Sequence, residues 1–173
     1  MATATEERRR TPDRRRRSAD EGDGSRAGRQ TNDGTPPGAN AEDRRFLERY
    51  GSKLSKSTHR AKWTHGTDDR PDRNGQTLAT RSQDVIRAWA EARDAVPATA
   101  TRGPDGEPRT LRFDFNASKD DAGDGRSRLE RIDWEAWFRV FDDRKLVFLY
   151  QERRRDGSES NFFRLDNPTR EDG

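Results

Sequence analysis

"DWEAWFRVFDDRKLVFLYQERRRDGSESNFFRL", residues 133–165, decides the fold of this chain. Trp134, Trp137, Phe138 and Phe141 recur at i, i+3, i+4 and i+7, which predicts an amphipathic helix opened by Asp133 as its N-cap. Asp142-Asp143 closes that helix. Two strands follow, joined by Asp156-Gly157, a favoured two-residue turn. That turn sets Tyr150 opposite Phe163 and Phe148 opposite Leu165 on one face, with Val147, Leu149 and Phe162 on the other. Apolar residues on both faces mark a central strand, covered on each side.

The same order recurs upstream. In "TRSQDVIRAWAEARDA" (80–95), Thr80 and Gln83 have capping-box spacing, and Val85, Ile86, Trp89, Ala90 and Ala92 form one apolar face. Pro97 ends the helix, and "PATATRGPDGEPRTLRFDF" (97–115) reads as a hairpin turning at Pro104-Asp105-Gly106. Leu111, Phe113 and Phe115 alternate with Arg112 and Asp114, one face on a core and one in water. Residues 77–167 therefore read as an α+β domain: a small four-stranded, mostly antiparallel sheet of two hairpins with two helices.

Outside that domain the composition changes. Charged residues make up 40% of the 173 and the hydrophobic set only 27%, against roughly 45–50% in ordinary globular domains. No Val, Ile, Leu, Phe, Trp or Tyr precedes Phe46. Residues 1–40 read as a disordered tail carrying the clusters Arg8–Arg10 and Arg14–Arg17, with GTPPG (34–38) as a helix breaker. Residues 41–76 read as a basic linker with one short helix, from Phe46, Leu47, Tyr50 and Leu54, interrupted by Gly51. Residues 168–173 form a C-terminal tail. Lys+Arg minus Asp+Glu is 10 − 6 = +4 over residues 41–81 and 17 − 20 = −3 over 82–173, so a basic arm precedes an acidic domain.

The arm carries the nucleic-acid expectation. Lys53, Lys56, Arg60 and Lys62 surround Trp63, a pattern that can bind backbone phosphates and stack a base. In the second hairpin, Gln151 and Asn161 are uncharged amides among charges. They suit either a neighbouring loop's backbone or a partner at the sheet edge.

Catalytic and metal chemistry find little support. The absence of cysteine excludes disulfides, thiol nucleophiles and cysteine-ligated metals. His59 and His65, with Asp68 and Asp69, stand in a loop without ligand spacing. "NASKDDAGDGRSR" (116–128) resembles a calcium loop only until Ala122 and Arg131 fall where oxygen ligands belong. No metal and no cofactor is expected. Asp114 with Glu135, or Asp142 with Asp143, could serve a small hydrolase or transferase, the competing reading.

The motifs "VIRAWAEARDAVPATA", "LRFDF", "IDWEAWF", "LVFLYQE" and "DGSESNFFRL" resemble a family of small bacterial proteins with W-A-E-x-R-x-x-x-P-A, L-R-x-D-F, I-x-W-x-x-F/W-F and L-x-F-L-Y-Q-E. Trp89, Ala90, Glu91, Pro97, Ala98, Asp114, Phe115, Trp134, Phe138, Tyr150, Gln151 and Asn161 match, and with "DRRFLERYGSKLSKSTHRAKW" and "GQTLATRS", which are similar to a longer subgroup, the resemblance covers about residues 43–166. The loop after LRFDF departs, being longer and without Pro or Tyr. The resemblance implies bacterial origin and this α+β domain, and it implies no activity. Some members bear a glycogen-branching-enzyme label, but such enzymes need a barrel of roughly 250 residues, so that label does not extend here.

The chain thus reads as a non-enzymatic binding module. Its N-terminus lacks a signal-peptide apolar core and no apolar run spans a bilayer, which places it in the cytoplasm without membrane partners. A protein partner and, through the arm, nucleic acid are expected. A homodimer through the sheet edge is a third reading.

Overall fold

The computed structural model describes residues 34–115 and 129–169. Residues 1–33 of the tail expected over 1–40, the polar loop over 116–128 and residues 170–173 of the C-terminal tail lie outside the described residues. The elements run α1 (Ala41–Tyr50), a 3₁₀ turn (Gly51–Lys53), α2 (Lys56–Arg60), β1 (Lys62–Trp63), β2 (Leu78–Thr80), α3 (Gln83–Glu91), β3 (Val96–Thr99), β4 (Leu111–Asp114), β5 (Glu130–Arg131), α4 (Trp134–Asp143), β6 (Val147–Tyr150) and β7 (Phe163–Asp166). No helix among them is long and apolar enough to cross a membrane.

The fold is α+β, with two sheets where one was expected: β1-β2-β6-β7, and β4-β3-β5. All pairs are antiparallel except β1 with β2. The expected pairings Phe148–Leu165 and Tyr150–Phe163 are present. As its two-sided apolar pattern predicts, β6 is central: Phe148 and Tyr150 enter one core, Val147 and Leu149 the other.

The turn differs from expectation. Gly157 N–H donates to Arg154 O and Arg154 N–H to Ser158 O, giving a three-residue loop with Gly157 at φ 85°. The register is regained by a bulge, because Ser160 N–H bonds Glu152 O while Gln151 N–H bonds Phe162 O. Asn161 is the extra residue.

Two further corrections concern single positions. The cap of α3 is Ser82, whose Oγ accepts from Val85 N–H; Thr80 is fully buried in β2. Asp114, expected in water, is buried and ion-paired to Arg131 at 3.0 Å.

Residues 41–63 are not a linker. Phe46, Leu54, Ala61 and Trp63 are buried against Ala79, Val147 and Leu149, closing the second face of the sheet. A few apolar residues in a basic background suffice, because the sheet supplies the other half of that core. The GTPPG segment is also in place: Trp63 N–H donates to Pro37 O at 2.7 Å. Asp166, at the end of β7, anchors α2 by accepting from Ser55 N–H and Oγ, each at 2.8 Å, and from Thr58 Oγ1.

The described chain contains two β-α-β-β units offset by 51 residues, β2-α3-β3-β4 and β5-α4-β6-β7. Each helix is capped by a side-chain oxygen, Ser82 or Asp133. Each is followed, twelve residues after its cap, by a left-handed residue, Asp94 (φ 52°) or Lys145 (φ 55°). The closing bonds match as well: Ala95 N–H to Ala90 O, and Leu146 N–H to Phe141 O. Arg102 bonds Gly106 O in one hairpin, and Arg153 bonds Gly157 O in the other. Arg93 reaches across to Ser160 O and Glu152 O, while Arg144 reaches back to Arg109 O and Pro108 O. The units exchange their first strands, β2 pairing with β6 and β5 with β3. This exchange is why the two hairpins do not merge into one sheet.

A residue with a Cβ at a left-handed helix end costs about 1–2 kcal/mol, and glycine removes that cost at the expense of unfolded-state entropy. Lys145→Gly is therefore expected to raise the unfolding free energy by about 0.5–1 kcal/mol, read as a higher denaturant midpoint at unchanged slope.

Candidate functional site

Two surfaces stand out: the basic layer formed by α1 and α2, and a cleft beside α3. The layer is built by anchoring. An Asn40–Asp43 capping box starts α1, and Asp43 also holds His65. His59 Nε2 meets Gly51 O at 2.8 Å, tying α2 to the turn before it. With its apolar side on the sheet, the layer turns its cations outward. Arg44, Arg45, Arg49, Lys53, Lys56 and Arg60 are all exposed. No ion pair joins any of them to a described residue.

The five residues expected to bind nucleic acid therefore divide. Lys53, Lys56 and Arg60 lie on this open surface. Lys62 is engaged, with Nζ 2.7 Å from Asp72 Oδ1 and 3.0 Å from Arg70 O, and that hydrogen bond holds the Asp72 carboxyl below its usual range. Trp63 is 2% exposed, with its indole N–H on Thr58 O, so it offers no face to a base. Sequence reasoning passed over Arg44, Arg45 and Arg49, whose outward direction became visible only once Phe46 fixed the inward face of α1.

The amides divide as well. Gln151 serves the neighbouring loop, donating from Nε2 to Gly75 O at 3.2 Å. Asn161 is exposed in its bulge beside Phe162, the one large hydrophobic exposed among the described residues, at 47%. Of the carboxylates weighed for catalysis, Asp114 is held by Arg131, Glu135 is 3.5 Å from Arg139, and Asp142 accepts from Gln83.

The cleft, about 340 Å³, lies between the 66–70 loop, α3 and the base of the β6–β7 hairpin. Val85, Ala88, Trp89 and Ala92 line it on the α3 side, and Tyr150 lies at its inner end. Ala92, expected on the buried face, is exposed here. The Arg93 guanidinium stacks 4.3 Å from the Trp89 ring and donates to three carbonyls, of Ser160, Trp89 and Glu152. Burial lowers its pKa, opposed by the fields of Glu159 and Glu152.

No family model, curated protein or solved structure matches this chain, so its residues and geometry carry the reading.

Tyr150 gives the cleft a measurable signature. Its hydroxyl lies 2.8 Å from Thr64 Oγ1, yet burial outweighs that bond and pushes its pKa up to about 12. A free tyrosine ionises near 10. The unfolded chain therefore gains from ionisation first, so stability that is intact below pH 10 falls as pH rises from 10 to 12. The expected loss is about 2–3 kcal/mol across that window. Chemical denaturation at stepped pH should show it, and in Tyr150→Phe this part of the alkaline fall should be missing.

Proposed function

We propose that this chain is a non-enzymatic binding module that engages nucleic acid through the α1–α2 layer. The carrying observation is the outward set of cations without an ion pair among the described residues, Arg44, Arg45, Arg49, Lys53, Lys56 and Arg60, on a layer fixed to the sheet. Residues 41–62 hold seven Lys or Arg and three Asp or Glu, a net +4, in a chain whose remaining domain is acidic. Such a surface binds phosphate by releasing condensed counterions, which gives affinity without base readout. With Trp63 inside the core, stacking plays no part, and the contact is electrostatic and indifferent to sequence.

Fluorescence anisotropy with a mixed-sequence DNA duplex tests this. If most of the six cations meet phosphates, log K should fall with log salt at a slope of about −4 to −5. A flat dependence, or no binding at low salt, would remove the proposal. The Arg8–Arg10 and Arg14–Arg17 clusters can add contacts. A chain lacking residues 1–33 should keep binding, with a shallower slope.

A further inference from the structure

The two β-α-β-β units provide an internal comparison. Positions that carry the shared architecture hold the same residues: Leu78 and Leu129, Arg93 and Arg144, Val96 and Val147, Arg102 and Arg153, Asp105 and Asp156, Gly106 and Gly157. On the exposed side of the helices the units differ at several positions, and two of them bear on the cleft. Ala88 and Ala92 of α3 stand where α4 carries Arg139 and Asp143. The alanines leave the cleft open over Trp89. Nothing in the shared architecture asks for that opening, since α4 makes the same end contacts with long side chains.

Charges of both signs line the cleft, three guanidiniums and three carboxylates. On the loop side, the Asp69 carboxylate is taken up by the N–H groups of His65 and Gly66, at 2.7 and 3.1 Å. Among the described residues Arg70 beside it uses only Nη1, on Thr67 O and Asp69 O, which leaves Nε and Nη2 for a ligand. On the hairpin side, Glu152 and Glu159 stand with Arg93 and Arg153, and neither carboxylate holds an ion pair among the described residues; Arg153 Nη1 is occupied by Gly157 O. Arg93 donates to three carbonyls and keeps its charge in the field of Glu159 and Glu152. Arg70 on the loop side and Glu152 and Glu159 on the hairpin side thus line the same cleft as the apolar residues of α3.

From this geometry we propose that the α3 cleft binds a free amino acid with an apolar side chain. Its carboxylate meets Arg70, its ammonium meets Glu152 and Glu159, and its side chain lies on Ala88, Ala92 and Trp89. Charge-assisted pairs of both signs give orientation, and the apolar wall gives selectivity for the side chain. This site is separate from the basic layer.

The test is isothermal titration of the full chain with L-leucine, L-phenylalanine, N-acetyl-L-leucine and L-leucinamide. The zwitterions should bind, and each analogue lacking one charge should bind at least about tenfold more weakly. Ala88→Arg combined with Ala92→Asp gives α3 the residues of α4 at exposed or half-exposed positions. This variant should melt as the parent does and lose binding. Arg70→Gln should weaken leucine but leave leucinamide unchanged, and Glu152→Gln with Glu159→Gln should weaken leucine but leave N-acetyl-leucine unchanged. The proposal is overturned if neither zwitterion binds below about 10 mM. It is overturned equally if all four compounds bind alike, or if the filled-cleft variant still binds.

Discussion

Trp63→Ala is expected to destabilise the protein by about 3–5 kcal/mol and to release the α1–α2 layer from the sheet. Trp63 is 2% exposed and packs with Phe46 at 6.5 Å between ring centroids, within the cluster that contains Ala79, Val147 and Leu149. Its N–H on Thr58 O also ties α2 to β1. Truncation leaves a cavity that the sheet cannot close, because β6 is pinned on both sides by β2 and β7. A base-stacking tryptophan would behave differently, its loss weakening binding at nearly unchanged stability. Denaturant midpoints for Trp63→Ala and Trp63→Phe separate the two cases. The phenylalanine variant should recover much of the loss in stability and bind DNA as the parent does. Unchanged stability in Trp63→Ala would show that this side chain holds nothing in place.

The second large effect is expected from reversing charge on the layer. Lys53→Glu, Lys56→Glu and Arg60→Glu together alter exposed residues that hold no ion pair within the described chain. Their effect on stability should stay within about 0.5 kcal/mol each, as is usual for surface substitutions. Duplex affinity at low salt should fall by about 10²–10³-fold, since three phosphate contacts become repulsions. The two variants thus dissociate: one loses the fold of the layer, the other only its charge.

The layer also marks the limit of what the sequence made legible. The register of β6 with β7 was read from a two-residue Asp156-Gly157 turn, and it holds because the bulge at Asn161 compensates the extra residue of the actual loop. The bulge at Asn161 was not readable: one extra polar residue among polar neighbours leaves no trace in the pattern. The three residues of β2 are too few to show a period. Its place is set by pairing with β6, a contact 68 to 72 residues distant in sequence. The second core was hidden because Phe46, Leu54, Ala61 and Trp63 are scattered among lysines and arginines, and their shared partner is a strand near the other end of the chain.

The candidate sites follow the same division. Lys53, Lys56 and Arg60 were legible as a cluster because clustering of charge needs no fold. Trp63 was misplaced because an aromatic residue among cations reads alike whether it points out or in. The cleft left one trace, Ala92, small and apolar at a position that the helix turns toward solvent. The repeat gave little warning, since the units share chiefly turn, cap and clamp positions while their core residues exchange sizes, Ile86 for Trp137 and Ala90 for Phe141. Large residues in α4 fill space that small ones leave in α3, and a packed core constrains the total volume more tightly than any single side chain.

The most direct test of the basic-layer account is the salt dependence of duplex binding, compared between the parent and the Lys53→Glu, Lys56→Glu, Arg60→Glu variant at matched folding. A slope shallower by about 3 in the variant, with both proteins melting together, is the predicted result. Equal slopes would contradict the account and move the contact away from the α1–α2 layer.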